Sequence, residues 1–149
     1  MRSWSMAAWM VLGAGIIIGA WWAYTQLGWG GYWAWDPVEN ASLIPWLTLM
    51  ALVHALAVHR RRGTLVVWAV FLGLGTFILC AFGTFITRGG LAQSIHSFGR
   101  STIGWHLAAW MLVLVTGALW LVVSHRRGLK EAESPAQTQD GSLIAGIGI

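Results

Sequence analysis

Four apolar runs constrain this 149-residue chain more than anything else in it. A helix that crosses a bilayer needs about 20 mostly apolar residues, with its backbone polar groups satisfied internally. Trp4 to Tyr24 and Leu65 to Ile86 have that length, and Trp105 to Val123 nearly so. Leu43 to Val58 is shorter, so its helix is expected to begin within the interface, around Val38. Only 9% of the residues are charged, far below the roughly 25% of soluble domains. The predicted fold class is all-α, an integral membrane protein with about four transmembrane helices. The spacing predicts a membrane domain over 1–128, with helices at about 4–25, 43–58, 65–86 and 105–123. Residues 129–149 read as a linker and the truncated start of a further helix. The first apolar run is too long for a signal-peptide core and lacks a small-residue cleavage site, so it reads as a retained helix.

The basic residues set the expected orientation. Arg2, Arg60, Arg61, Arg62, Arg126, Arg127 and Lys130 lie at one set of helix ends, seven of the nine Lys and Arg. Placing that side in the cytoplasm obeys the positive-inside rule. The segment 28–42 and the loop 87–104 then face outward. Basic runs at the ends of apolar segments encode topology, so the net charge of +4 does not point to nucleic acid; membrane lipid is the expected surrounding. Cys80 stands alone in an apolar run and can form neither an internal disulfide nor a CxxC pair.

Between the first two runs lies Gly-Trp-Gly-Gly-Tyr-Trp-Ala-Trp-Asp-Pro-Val-Glu-Asn, residues 28–40. It holds four aromatics (Trp29, Tyr32, Trp33, Trp35) and two carboxylates (Asp36, Glu39). Indoles favour the membrane–water boundary, where the ring is half apolar and its N–H is wet. Asp36-Pro37 reads as a helix start, with Asp as N-cap and Glu39 in the first turn. Asp36 and Glu39 are expected to cap that helix and to accept hydrogen bonds from indole N–H groups.

Five histidines divide by position. His59 and His125 sit beside arginines at inner helix ends, where the helix dipole favours them. His106 is an outer interfacial side chain. His54 lies among apolar neighbours, where an ionisable group needs a partner or a task. A metal or haem ligand and a helix–helix hydrogen bond both remain open for it. His96 lies in the outer loop near Phe98, and Arg88 and Arg100 are suited to the carboxylates of an anionic ligand. Together, the outer side offers indole faces, a histidine and two arginines, which suits a flat, apolar, metal-bearing molecule with acidic tails, such as haem. No zinc spacing, P-loop or serine-hydrolase motif is present.

The string Trp29-Gly30-Gly31-Tyr32-Trp33-Ala34-Trp35-Asp36-Pro37-Val38-Glu39-Asn40-Ala41-Ser42 resembles the WWD signature of the haem-handling proteins of cytochrome c maturation. Pro45-Trp46-Leu47 with Leu52-Val53-His54-Ala55, and Gly83-Thr84-Phe85-Ile86-Thr87-Arg88-Gly89-Gly90 with Ser94-Ile95-His96-Ser97-Phe98, are similar to the stretches that follow that signature. The Val-Glu-Asn-Ala-Ser and Thr-Arg-Gly-Gly forms point to the CcmF branch rather than the CcsA branch. The resemblance covers roughly residues 27–106.

The resemblance implies a subunit of cytochrome c haem lyase in a bacterial (or organellar) inner membrane. Such proteins accept haem from a haem chaperone on the outer side and present it to apocytochrome c, whose thiols add to the haem vinyl groups. It implies haem binding by Trp29, Tyr32, Trp33, Trp35, Asp36, Arg88 and Arg100. His96 would be an axial ligand of this substrate haem, and His54 a ligand of a separate b-type haem within the membrane. The family's proteins are much longer. Its first external histidine precedes the signature, where residues 1–27 have none, and its second membrane histidine is expected beyond residue 149. The expectation is a fragment or a split subunit, partnered by the remaining part or by other haem lyase subunits. The competing readings are a CcsA-like haem delivery module without ligation chemistry, and a structural membrane subunit.

Overall fold

A computed structural model describes residues 2–28, 30–89 and 103–133. Five helices are present among them: α1 (Arg2–Gln26), α2 (Pro37–Arg62), α3 (Val66–Arg88), α4 (Ile103–Ser124) and the short α5 (Arg126–Glu133). The first four are long and apolar enough to cross a membrane. The fold is all-α, and the chain is a multi-pass integral membrane protein with a Trp-rich segment between α1 and α2. Trp29, His96, Arg100 and the segment 142–149 lie outside the described residues.

The helices form a row. α2 packs against α1 on one side and, more extensively, against α3 on the other; α3 also carries α4. What little core there is sits around α2, from Pro45, Leu49, Leu52 and Ala55, with Ala23 of α1 and Ala81 of α3. Trp4, Val11, Ile17, Trp68, Leu112 and Trp120 are exposed on the outer surfaces. Such a surface is stable only where lipid replaces water, because lipid tails are as apolar as the side chains.

Without a hydrophobic drive between helices, association rests on close packing and interhelical hydrogen bonds. Both are visible. Trp46 of α2 stacks on Trp9 of α1 with ring centroids 5.3 Å apart, and its Nε1–H donates to the Trp9 carbonyl at 3.2 Å. Gly13 makes room for it, since a Cβ there would stand 2.7 Å from Trp46 Nε1. Between α2 and α3 the hydroxyls of Thr48 and Thr76 meet at 2.9 Å, and Thr76 also donates to the Leu72 carbonyl. Pro45 lies fully buried inside α2. A proline has no N–H, so the Ala41 carbonyl one turn earlier loses its helical partner. The α3 backbone comes close there: a Cβ on Gly83 would lie 3.1 Å from the Ala41 oxygen.

α2 begins at Pro37, more than a turn before its apolar run starts at Leu43. The cap decides this boundary, because Asp36, Pro37 and Glu39 satisfy the first-turn amides whether or not the residues are apolar. At the other end Gly63 takes the left-handed conformation (φ 68°), and its N–H donates to the His59 carbonyl at 2.8 Å. The His59 ring Nδ1 lies 3.2 Å from the Thr64 carbonyl, so the α2–α3 turn is tied by a side chain as well.

Candidate functional site

The aromatic segment is shaped by the start of α2. Asp36 has extended backbone (φ −64°, ψ 146°), and its Oδ1 accepts from the Val38 N–H at 2.7 Å. Glu39 reaches back so that its Oε2 accepts from the amides of Asp36 (3.2 Å) and Ala34 (2.9 Å). The first contact completes a capping box; the second ties the chain two residues further upstream. Glu39 is only 9% exposed, which its double role as acceptor explains. Asn40 Nδ2 donates to the Trp35 carbonyl at 3.1 Å.

Trp35 sits between these ties with φ 57°, a left-handed conformation unfavourable for a bulky residue by about 1–2 kcal/mol. Its neighbours on both sides are fixed by Glu39, and its own carbonyl by Asn40. The conformation turns the indole outward, and Trp35 is 71% exposed. Trp33 is oppositely placed. It lines a cleft of about 260 Å³ between α1 and α2, with Gly19, Trp22, Ala23, Glu39 and Ser42. Trp33 meets Trp35 edge to face at 6.2 Å. Tyr32 lies back on Tyr24 of α1, with rings nearly parallel and centroids 4.3 Å apart. Tyr32 and Trp33 thus fasten the segment to the membrane helices, and Trp35 is the ring it presents.

The expectation that Glu39 accepts from an indole N–H is corrected. Its Oε2 serves two backbone amides, while Trp33 Nε1 is buried without a partner among the described residues. The backbone amides lie closer in the chain and would otherwise be orphaned at the helix start, so they win the carboxylate.

The C-terminal end of α3 lies beside this segment. Gly83, Thr84 and Thr87 share a cleft with Val38, Ala41 and Ser42 of α2. Arg88 closes α3 at this same end and is exposed. His54 is elsewhere. It lies on α2 15 residues beyond Glu39, about 22 Å along the axis at the α-helical rise. It is exposed, and its Nδ1 lies 2.8 Å from the Met50 carbonyl. A carbonyl only accepts, so Nδ1 carries the proton and donates, leaving the Nε2 lone pair outward. That is the tautomer a metal-ligating imidazole uses, with its second nitrogen held by a backbone carbonyl. Among the described residues no three of His, Cys, Asp and Glu cluster as a metal site. His54 would therefore offer iron a single ligand here.

Sequence reasoning singled out Trp29, Tyr32, Trp33 and Trp35 together, of which Trp29 lies outside the described residues. The other three lie close together but in different surroundings: Tyr32 on Tyr24, Trp33 in the α1–α2 cleft and Trp35 exposed. The structure also adds Tyr24, whose stacking on Tyr32 has no local sequence signal beyond its place at the end of α1.

The profile of the family described as "Cytochrome C assembly protein" matches residues 1–96. The chain is 47% identical over 121 residues to "Cytochrome c-type biogenesis protein CcmF" of Haemophilus influenzae, covering 80% of this chain and 19% of that protein. It is 40% identical over 144 residues to the CcmF protein of Escherichia coli, covering 96% of this chain and 22% of that one. It is 45% identical over 146 residues to "Cytochrome c-type biogenesis protein CycK" of Rhizobium meliloti, covering 97% and 22%. The chain thus spans about a fifth of the length of these relatives. No solved structure matches it. The family profile over the aromatic segment and the first three helices, with these identities, shows that the chain belongs to the cytochrome c assembly protein family, with CcmF, CycK and NrfE proteins as its relatives.

Proposed function

We propose that this chain is the part of a cytochrome c maturation protein that offers haem a binding face, from which it is attached to apocytochrome c. The observation that carries this reading is the outward Trp35, held in a left-handed conformation by Glu39 and Asn40. A bulky residue kept in such a conformation points to a task for its side chain. The residues fit the group. Trp35 and Trp29 supply flat apolar surface, Tyr32 and Trp33 anchor it, and Asp36 fixes the helix start beneath it. Arg88 and Arg100 would pair with the carboxylates, and His96 would ligate the iron. His54, with Nε2 available, would hold a separate b-type haem within the membrane.

Haem supplies the iron and the vinyl groups to which the apocytochrome thiols add. The chain's own work is positioning: it restrains a flat ligand at a fixed depth and angle, which turns a bimolecular encounter into an oriented one. The charge pattern supports an N-terminus in the cytoplasm and an aromatic segment in the periplasm of a bacterial inner membrane. A haem chaperone, apocytochrome c and the remaining lyase subunits or regions of a longer protein are its partners.

The test is an optical spectrum of the chain purified after expression with added haem. A Soret band is expected that weakens in His54→Ala and in His96→Ala. Cytochrome c maturation by the longer protein is expected to fail in His96→Ala. No haem in the wild-type chain even when the remaining regions are co-expressed, or normal maturation in His96→Ala, refutes the reading.

A further inference from the structure

The end of the helix row opposite the aromatic segment contains a second feature that haem handling leaves unused. α1 and α3 both pack on α2 but not on each other among the described residues. The gap is a groove of about 550 Å³. Its walls are apolar, from Trp4 of α1, Leu52 and Leu56 of α2, and Val70 and Leu74 of α3. Its polar lining is confined to Ser5 and His59. Leu52 and His59 are about 10 Å apart along the helix axis, so the groove runs inward through part of one leaflet. Directly past His59 come Arg60, Arg61 and Arg62, all exposed in the last turn of α2.

At the helical period Arg60 and Arg62 fall to either side of the face that carries Leu52, Leu56 and His59, with Arg61 behind it. An apolar slot that opens between two arginines has the chemistry of a phospholipid turned head outward. We infer that this groove binds an anionic phospholipid. An acyl chain lies along Leu52, Leu56 and Val70, and the phosphate sits at the arginine rim beside His59. Two facts favour this occupant over a further helix. The rim concentrates positive charge where an apolar helix offers none to meet it. The polar groups line only the mouth, so the slot matches a ligand that is charged at one end and apolar along the rest. Basic pockets between membrane helices recognise anionic headgroups in this way. The arginines serve topology as well; the groove beneath them is what topology does not require.

The experiment titrates phosphatidylglycerol and, separately, phosphatidylcholine into the delipidated chain in mild detergent, with bound lipid counted by native mass spectrometry. Phosphatidylglycerol is expected to bind in preference. Arg60→Gln with Arg62→Gln removes two headgroup partners and is expected to weaken its binding about 30-fold. Gly73→Leu leaves every charge in place. A Cβ at Gly73 is tolerated, 3.9 Å from Leu52 Cδ2, but a longer side chain fills the slot and is expected to abolish the preference. Circular dichroism confirms that both variants remain helical. A photo-crosslinking amino acid in place of Leu56 reports the occupant in cells, and an adduct of phospholipid mass is expected. Equal binding of the two lipids, or undiminished preference in Gly73→Leu, overturns the inference. So does an adduct to a polypeptide, which would make the groove a helix seat.

Discussion

In Glu39→Ala the amides of Ala34 and Asp36 lose their shared acceptor, and the effect can be estimated from the geometry. Hydrogen bonds to a charged group contribute about 1.5–3 kcal/mol each, and the longer contact at 3.2 Å belongs at the lower end of that range. Both amides are only part-buried, so water recovers a share once they are freed. Loosening the segment also releases about 1 kcal/mol of the Trp35 backbone strain. The net is about 2 kcal/mol, or about a 30-fold rise in local opening. Amide hydrogen exchange reads this directly. In Glu39→Ala, exchange at Ala34 and Asp36 is expected to quicken about 30-fold, while amides in the middle of α2 are unchanged. Glu39→Gln keeps a carbonyl acceptor without the charge; neutral bonds are about half as strong, so the rise there is about fivefold. Unchanged exchange at Ala34 in Glu39→Ala would refute the reasoning, because nothing else described holds that amide.

Two further substitutions test the helix packing. Gly13→Ala puts a methyl 2.7 Å from Trp46 Nε1, so the indole must leave Trp9 and its carbonyl; overpacking of this kind costs about 1–3 kcal/mol, measurable as a lowered midpoint in denaturing-detergent unfolding. Thr76→Val removes the hydroxyl that meets Thr48 while keeping the shape, and interhelical bonds in membranes average about 0.6 kcal/mol, so the same assay is expected to show a much smaller shift.

The start of α2 was readable because its rules are local. Asp36, Pro37 and Glu39 carry a capping signal within four positions, and the structure follows it against the later start of the apolar run. Membrane-length apolar runs were likewise plain. What the sequence hid is which faces meet. A soluble helix reveals its buried face as an apolar stripe, but a helix apolar all round carries no such stripe. Trp46 on Trp9, Thr48 on Thr76 and Gly83 against Ala41 are therefore contacts without a local pattern to announce them. His54 was legible as an ionisable group in an apolar run. Its tautomer was not, because that depends on the Met50 carbonyl one turn back being within reach of Nδ1. The division between anchoring Tyr32 and Trp33 and the presented Trp35 turned on one backbone angle, which composition does not encode.

The contact of Gly83 with the carbonyl that Pro45 leaves unpaired works like a key in a slot. It helps set the register of α3 along α2, and Thr48 with Thr76 does so again about two turns along the seam. Two such close approaches along one seam set the register of the pair. The chain enters α2 at Pro37 and leaves α3 at Arg88 from the same locked unit. The aromatic segment and the last turn of α3 are therefore carried at one end of a single packed pair, and a change in that seam would move both together.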